Sequence, residues 1–152
     1  MAQQFEVVDV PAQTVALVRR VVPMAGLKAF FDEAFGAVAA AVANAGGMIV
    51  GPPFGWYFGM PGETVDVAAG FPVAGVVGAP DGEVVMQERP GGQAVVGMHV
   101  GPYDTMTATY GALQAWMAER SLAGRDDMWE EYLSPPEGDP STWLTRIVWP
   151  VA

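Results

Sequence analysis

The sequence predicts an α+β fold made by tandem duplication. A strand-strand-helix-strand-strand unit occurs twice, giving antiparallel sheets with two helices around a central pseudo-twofold cleft. Three observations predict it. The stretch Val15–Gly46 is echoed by Gln93–Gly124, 78 positions later. Each copy runs into an aromatic strand, GWYFGMP at Gly55–Pro61 and EEYLSPP at Glu130–Pro136, and closes on an apolar strand ending in Pro-Val, at Pro72-Val73 and Pro150-Val151. The lead-in recurs as well, as Glu6-Val7-Val8 and Glu83-Val84-Val85. One domain over residues 1–152 is expected, with half-repeats at about 5–74 and 82–152.

The elements follow in order. Phe5–Val10 and Thr14–Val22 are short and Val-rich around Pro11-Ala12-Gln13, which reads as a hairpin. Pro23 is placed to start a helix, where its missing N–H costs nothing. Leu27, Phe30, Phe31, Ala34, Phe35, Val38 and Val42 then recur at three- and four-residue steps as one apolar stripe, ended by Gly46-Gly47. Strands Phe54–Met60 and Thr64–Val73 follow, joined by Pro61-Gly62-Glu63. In the second copy, Glu83–Glu88 and Ala94–Val100 form a hairpin around Pro90-Gly91-Gly92. Asp104 is the expected N-cap of a helix traced by Met106, Tyr110, Leu113, Trp116 and Met117 and stopped by Gly124. Trp129–Leu133 and Trp143–Trp149 complete the set, separated by the turn-rich Ser134–Thr142. Gly75–Asp81 is the nearest approach to a linker.

Composition narrows the function. A hydrophobic fraction of 51% over 152 residues, with five Trp, supports a substantial core. No apolar run approaches the roughly 18 residues that cross a bilayer, so no membrane partner is expected. The N-terminus lacks a positive segment followed by an apolar one, and Cys is absent, which together predict cytoplasmic placement. Net charge is −10 with only seven Lys and Arg, the wrong sign for gripping a phosphate backbone, so no nucleic-acid partner is expected. One histidine, His99, makes a His-based metal site or a Ser-His-Asp triad improbable. No metal and no cofactor is expected.

The informative residues are those where the copies differ. Glu130 in the second aligns with Gly55 in the first, and Tyr132 with Tyr57. On a strand Glu130 and Tyr132 share one face, while Trp129, Glu131 and Leu133 share the other. Gly55 and Gly59, beside Tyr57, offer room, because glycine in a strand often marks close approach of a ligand or of another backbone. The pattern describes a pocket floored by Tyr57 and Tyr132 and holding one carboxylate, a receptor for a flat aromatic guest and for a cation. Trp56 and Trp129 are counted among its lining residues, and Tyr110 as a core residue whose hydroxyl tips into the cleft. The bland alternative leaves Glu130 a solvated strand residue.

Met98-His99-Val100-Gly101-Pro102-Tyr103-Asp104, followed by Tyr110, Leu113 and Trp116, resembles the H-x-G-P-Y…Y…L…W pattern of the GyrI-like family, which includes the effector-binding domains of AraC- and MerR-type regulators. Glu130–Tyr132, then Thr145-x-Ile147-x-x-Pro150-Val151, resembles its closing pattern, and Gly51-Pro52-Pro53-Phe54 with Tyr57 matches in the first half. The resemblance covers nearly the whole chain. It implies a cleft that accepts diverse aromatic, often cationic, compounds, with Glu130 as the pocket carboxylate and Tyr57 as the first-half pocket tyrosine. The family often places a second acid where this chain has Arg146, and an aromatic where it has Val148. An arginine there is placed either to pair with Glu130 and lower the pocket's appetite for cations, or to suit neutral or anionic guests. With no helix-turn-helix in the sequence, a stand-alone member is expected.

Three functions follow. The first is a receptor that sequesters aromatic, cationic small molecules at Glu130, Tyr57, Tyr132, Tyr110, Trp56, Trp129, Arg146 and Gly55. The second, implied by stand-alone proteins that the chain resembles, is a hydrolase opening cyclopropane-bearing electrophiles, with Glu130 as general base and Tyr57 or Tyr132 as donor. The third is a protein-binding, gyrase-protecting factor, which no motif singles out.

Overall fold

The computed structural model describes residues 5–76, 82–134 and 137–151. Most of the Gly75–Asp81 link and the prolines closing the EEYLSPP stretch lie outside them. The elements are β1 (Phe5–Val10), β2 (Gln13–Pro23), α1 (Leu27–Asn44), β3 (Met48–Ile49), β4 (Phe54–Phe58), β5 (Thr64–Ala74), β6 (Val85–Arg89), β7 (Gly92–Val100), α2 (Met106–Glu119), β8 (Asp127–Tyr132) and β9 (Leu144–Pro150). Short 3₁₀ turns precede both helices, at Met24–Gly26 and Tyr103–Thr105. These nine strands form one antiparallel sheet in the order β1-β7-β9-β8-β4-β5-β2-β6, with β3 pairing off that path to β5. Among the described residues no helix is long and apolar enough to cross a membrane.

The order is palindromic under the repeat, and it corrects the two expected hairpins. β1 pairs with β7 and β6 with β2, so each half's first strand is delivered to the other half. Pro11-Ala12 and Pro90-Gly91 are therefore crossings between the two ends of the sheet. Gly91 has a physical reason at its crossing: a Cβ there would lie 2.5 Å from the Ala12 amide nitrogen.

The helices pack on one face of the sheet. Phe30, Ala34, Val38 and Val42 of α1 are buried against Ala16, Val18, Val65, Val67 and Ala69. Met106, Leu113 and Met117 of α2 are buried against Val95 and Ile147. The opposite face holds a third cluster, Val15, Leu17, Phe54, Trp56, Ala68, Ala94, Trp129 and Val148. That cluster closes because the sheet curls into a half-barrel. Arg89, on the outermost strand β6, lies 4.9 Å from the Phe54 ring centre and 4.5 Å from that of Trp129, on β4 and β8. Four strands of a flat sheet would hold those groups well over 10 Å apart.

Three boundary residues act differently from expectation. Pro23 ends β2, and α1 begins only at Leu27. Asp104 sits exposed inside the 3₁₀ turn before α2 and caps nothing; the Thr105 hydroxyl donates to the Pro102 carbonyl instead, at 2.8 Å. Chain reversal after α2 falls on Ser121, with φ of 55°, while Gly124 bridges to Val151.

Candidate functional site

The helix-bearing face has a seam where the halves meet, along the β4–β8 pair. There Gly55 lies directly across from Glu130, Trp56 from Trp129 and Tyr57 from Met128. The residues that correspond across the repeat, Gly55 and Glu130, are thus also cross-strand partners, and the pseudo-twofold passes between them. The helices obey that same spacing rather than the 78 expected from the sequence echo that contains them: buried Ala34, Val38 and Val42 correspond to Thr109, Leu113 and Met117 at an interval of 75. That interval equates Phe35 with Tyr110, so α1 presents a phenyl ring to the seam where α2 presents a phenol.

Glu130 is buried, at 7% exposure. Its Oε2 accepts from the Tyr110 hydroxyl, and its Oε1 accepts from the Tyr132 hydroxyl at 2.8 Å. Burial pushes its carboxyl above the usual carboxylate range, and the two phenol donors pull partly the other way. Tyr57, Tyr110 and Tyr132 are all pushed far up, first by burial and then by the neighbouring Glu130 charge, so each remains a protonated donor. Among the described residues Glu130 makes no ion pair.

Aromatic rings close over it. Tyr132 meets Phe31 edge-on at 6.0 Å, Phe35 at 6.4 Å and Tyr103 at 5.8 Å. Tyr103 in turn packs on Trp143 at 5.1 Å and is 41% exposed, which makes it the outer rim. The room at Gly55 is already used: a Cβ there would lie 2.7 Å from the Tyr132 hydroxyl and 3.0 Å from the Phe31 ring. Glycine permits the phenol to cross the strand and reach Glu130. A guest that stacks in the seam must therefore displace Phe31 or Tyr132.

The His-x-Gly-Pro-Tyr segment holds α2 in place. His99 is buried, its Nε2 is 2.9 Å from the Pro102 carbonyl, and its Nδ1 is 2.6 Å from the Thr109 hydroxyl. The carbonyl can only accept, so Nε2 carries a proton and donates to it. Gly101, with φ of 131°, supplies the reversal between strand and helix. Tyr110 immediately follows Thr109 on α2. The segment thus sets the phenol that bonds Glu130.

Of the residues expected in the pocket, Glu130, Tyr57, Tyr132, Tyr110 and Gly55 share the seam. Trp56, Trp129 and Arg146 do not, because each alternates with a seam residue along its strand and points to the opposite face. Trp56 and Trp129 belong to the cluster inside the curl. Arg146 lies across from Glu131 and binds its Oε1 at 2.8 Å, while Ile147 faces Glu130. The expected Arg146–Glu130 pair is replaced by Arg146–Glu131. Phe31 and Phe35, read from the sequence as core, border the seam instead. Their signal was positional: they sit one residue beyond the buried 30 and 34 rows, on the flank that turns toward the other helix. Among the described residues no group of three or more His, Asp or Glu side chains is placed to hold a metal ion.

The family model for the GyrI-like small molecule binding domain matches residues 3–152. The chain belongs to the GyrI-like family. No curated protein matches the sequence. Among solved structures, the C-terminal domain of EcmrR is 22% identical with a TM-score of 0.87, covering 100% of this chain and 99% of that one. In a cryo-EM complex of EcmrR with DNA, this chain spans 57% of the regulator's length. A hydrolase from Listeria innocua is 16% identical, with a TM-score of 0.70 over 98% of this chain and 92% of that one. SAV2435, solved bound to tetraphenylphosphonium, is 9% identical with a TM-score of 0.68, covering 100% of this chain and 94% of that one. At these identities the likeness shows the fold. The GyrI-like member described here is a small-molecule-binding domain whose seam carries one buried acid.

Proposed function

We propose that this GyrI-like protein takes an aromatic cation into the seam between α1 and α2, with Glu130 as its counter-charge. One observation carries the reading: Glu130 is buried and hydrogen-bonded to two phenols, yet among the described residues no arginine or lysine pairs with it. A buried carboxylate is costly unless it is protonated or matched by a positive charge, and among the described residues no Arg or Lys side chain supplies one. Phe31, Phe35, Tyr57 and Tyr132 add faces and edges on which an aromatic body stacks. Placing Arg146 on Glu131 removes the objection that it neutralises the pocket. Tetraphenylphosphonium bound to a protein of this fold is a precedent for the guest's chemistry.

The test is a titration with tetraphenylphosphonium followed by calorimetry or by tryptophan quenching. Glu130→Gln, which keeps the shape and removes the charge, should weaken binding by about 2 kcal/mol or more, roughly 30-fold in Kd. Equal affinity in the two proteins would overturn the assignment of Glu130. The raised proton affinity of Glu130, beside phenol donors, also suits a general base, which supports a second reading as a hydrolase of electrophilic ring compounds. Multiple turnover of a cyclopropane-bearing electrophile, lost in Glu130→Gln, would select that reading; binding without product selects the receptor.

A further inference from the structure

The alternation that removes Trp56 from the seam places it in a second pocket on the other side of the same two strands. That pocket measures about 400 Å³ and is lined by Trp56 and Phe58 of β4, Asp127 and its neighbours Arg125 and Asp126 at the start of β8, and Gln87 of β6. The curl of the sheet brings β6 opposite β4 and β8, so the walls come from sheet positions far apart in pairing order. Gly55, Tyr57 and Glu130 face the seam; Trp56, Phe58 and Asp127 face this pocket.

We infer that this second pocket is a binding site for a small quaternary-ammonium or similarly compact organic cation. The Trp56 and Phe58 rings lie 4.8 Å apart at 37°, which presents two π-systems to one volume. Phe58 already carries a cation, the Arg19 guanidinium at 3.7 Å, and that arginine is neutralised by Asp66, which accepts from both its Nε and its Nη2 at 2.9 Å. Arg19 therefore leaves the pocket's own charge unchanged. Asp127 is fixed: its Oδ2 accepts from the Trp56 indole at 3.0 Å, and its Oδ1 lies 3.1 Å from Arg125 Nε. Asp126 beside it is exposed. The lining thus holds two carboxylates against one guanidinium, next to aromatic rings. That surplus negative charge draws a cation, and the overall charge of −10 adds to it. Arg125 is the resident competitor, and its half-exposed side chain is free to yield.

The experiment is an NMR titration of the whole protein with choline, reading the Trp56 indole N–H, which reports on Asp127 through their hydrogen bond. Neohexanol, the uncharged carbon isostere of choline, is titrated in parallel. The expected result is a saturable shift with choline and none of similar size with neohexanol. Asp126→Asn should weaken choline binding about three- to fivefold, the scale of an exposed ion pair. Arg125→Ala should tighten it by a similar factor, a change of opposite sign that mere loosening of the fold would not give. Gln87→Trp, which fills the volume from an exposed position, should abolish the shift. Glu130→Gln should leave it unchanged, so failure here is distinguishable from failure of the seam reading. An indole resonance that stays fixed with choline, an equal response to neohexanol, or weaker binding in Arg125→Ala would each overturn the proposal.

Discussion

Glu130 shows how much one side chain's surroundings decide. Its carboxyl is raised by burial, so the folded protein holds a proton there more tightly than the unfolded chain, whose carboxyl titrates near 4.5. The stability tied to that group is therefore fully present below 4.5 and is lost as pH rises through the higher folded value. Glutamine carries no such proton. The melting temperature of Glu130→Gln, relative to the unaltered protein, should rise as pH is taken upward from 4.5, then level off. Parallel melting curves across that range would show that Glu130 is not buried as described. Binding of a cation favours the ionised form, so it should release protons in the same pH window and tighten as pH rises. Calorimetry in buffers of different ionisation enthalpy measures that release directly. Arg146 gives the complementary lesson. Its identity was plain in the sequence and its partner was not, because a one-residue offset in cross-strand register decides between Glu130 and Glu131.

At the scale of elements, periodicity located the strands and helices well, and pairing poorly. Alternation along β8 correctly separates Glu130 and Tyr132 from Trp129 and Glu131, and the stripe of α1 correctly names Phe30, Ala34, Val38 and Val42. A turn such as Pro90-Gly91 reads as a hairpin because local residues show that the chain reverses, not which neighbour each strand then meets. Trp56 and Trp129 illustrate the same limit: aromatic character was visible, but alternation assigns them to the face away from Glu130. The His99 segment, recognisable as a motif, gains its physical meaning only from the contacts that join β7 to α2. His99→Ala removes both ring bonds and leaves the buried Thr109 hydroxyl without its ring partner, while the Pro102 carbonyl keeps only Thr105. We expect a loss of about 2 kcal/mol or more in chemical denaturation. Amide exchange should accelerate first over residues 102–110, and affinity for tetraphenylphosphonium should fall because Tyr110 is no longer held against Glu130. Uniform acceleration across the sheet would argue instead for a general packing defect.

For the whole molecule, the exchange of first strands makes each half depend on the other. β1 finds its only described pairing partner in β7, and β6 finds its own in β2. Separated, the first half keeps α1 with β2, β4 and β5 but leaves β1 unpaired and exposes the β4 edge that β8 covers. The second half suffers the equivalent losses at β6 and β8. The cluster of Leu17, Phe54, Trp56, Ala94, Trp129 and Val148 inside the curl draws on both halves, so neither can close it alone. Fully burying a side chain of the size of Leu or Phe contributes roughly 1.5–3 kcal/mol, so losing several together is comparable with the usual stability of a domain, about 5–15 kcal/mol. Fragments 5–76 and 82–152 should therefore each lack a cooperative thermal transition as monomers. Mixed at equal concentration, they should recover the far-ultraviolet circular dichroism of the intact chain, a cooperative melt and binding of tetraphenylphosphonium. Since the halves are related by a pseudo-twofold, a fragment that pairs with a second copy of itself would be using the same exchanged strands, and sedimentation would reveal it as a dimer. A monomeric half that melts cooperatively would show that the repeat is a self-sufficient unit, and that the strand exchange adorns the fold without sustaining it.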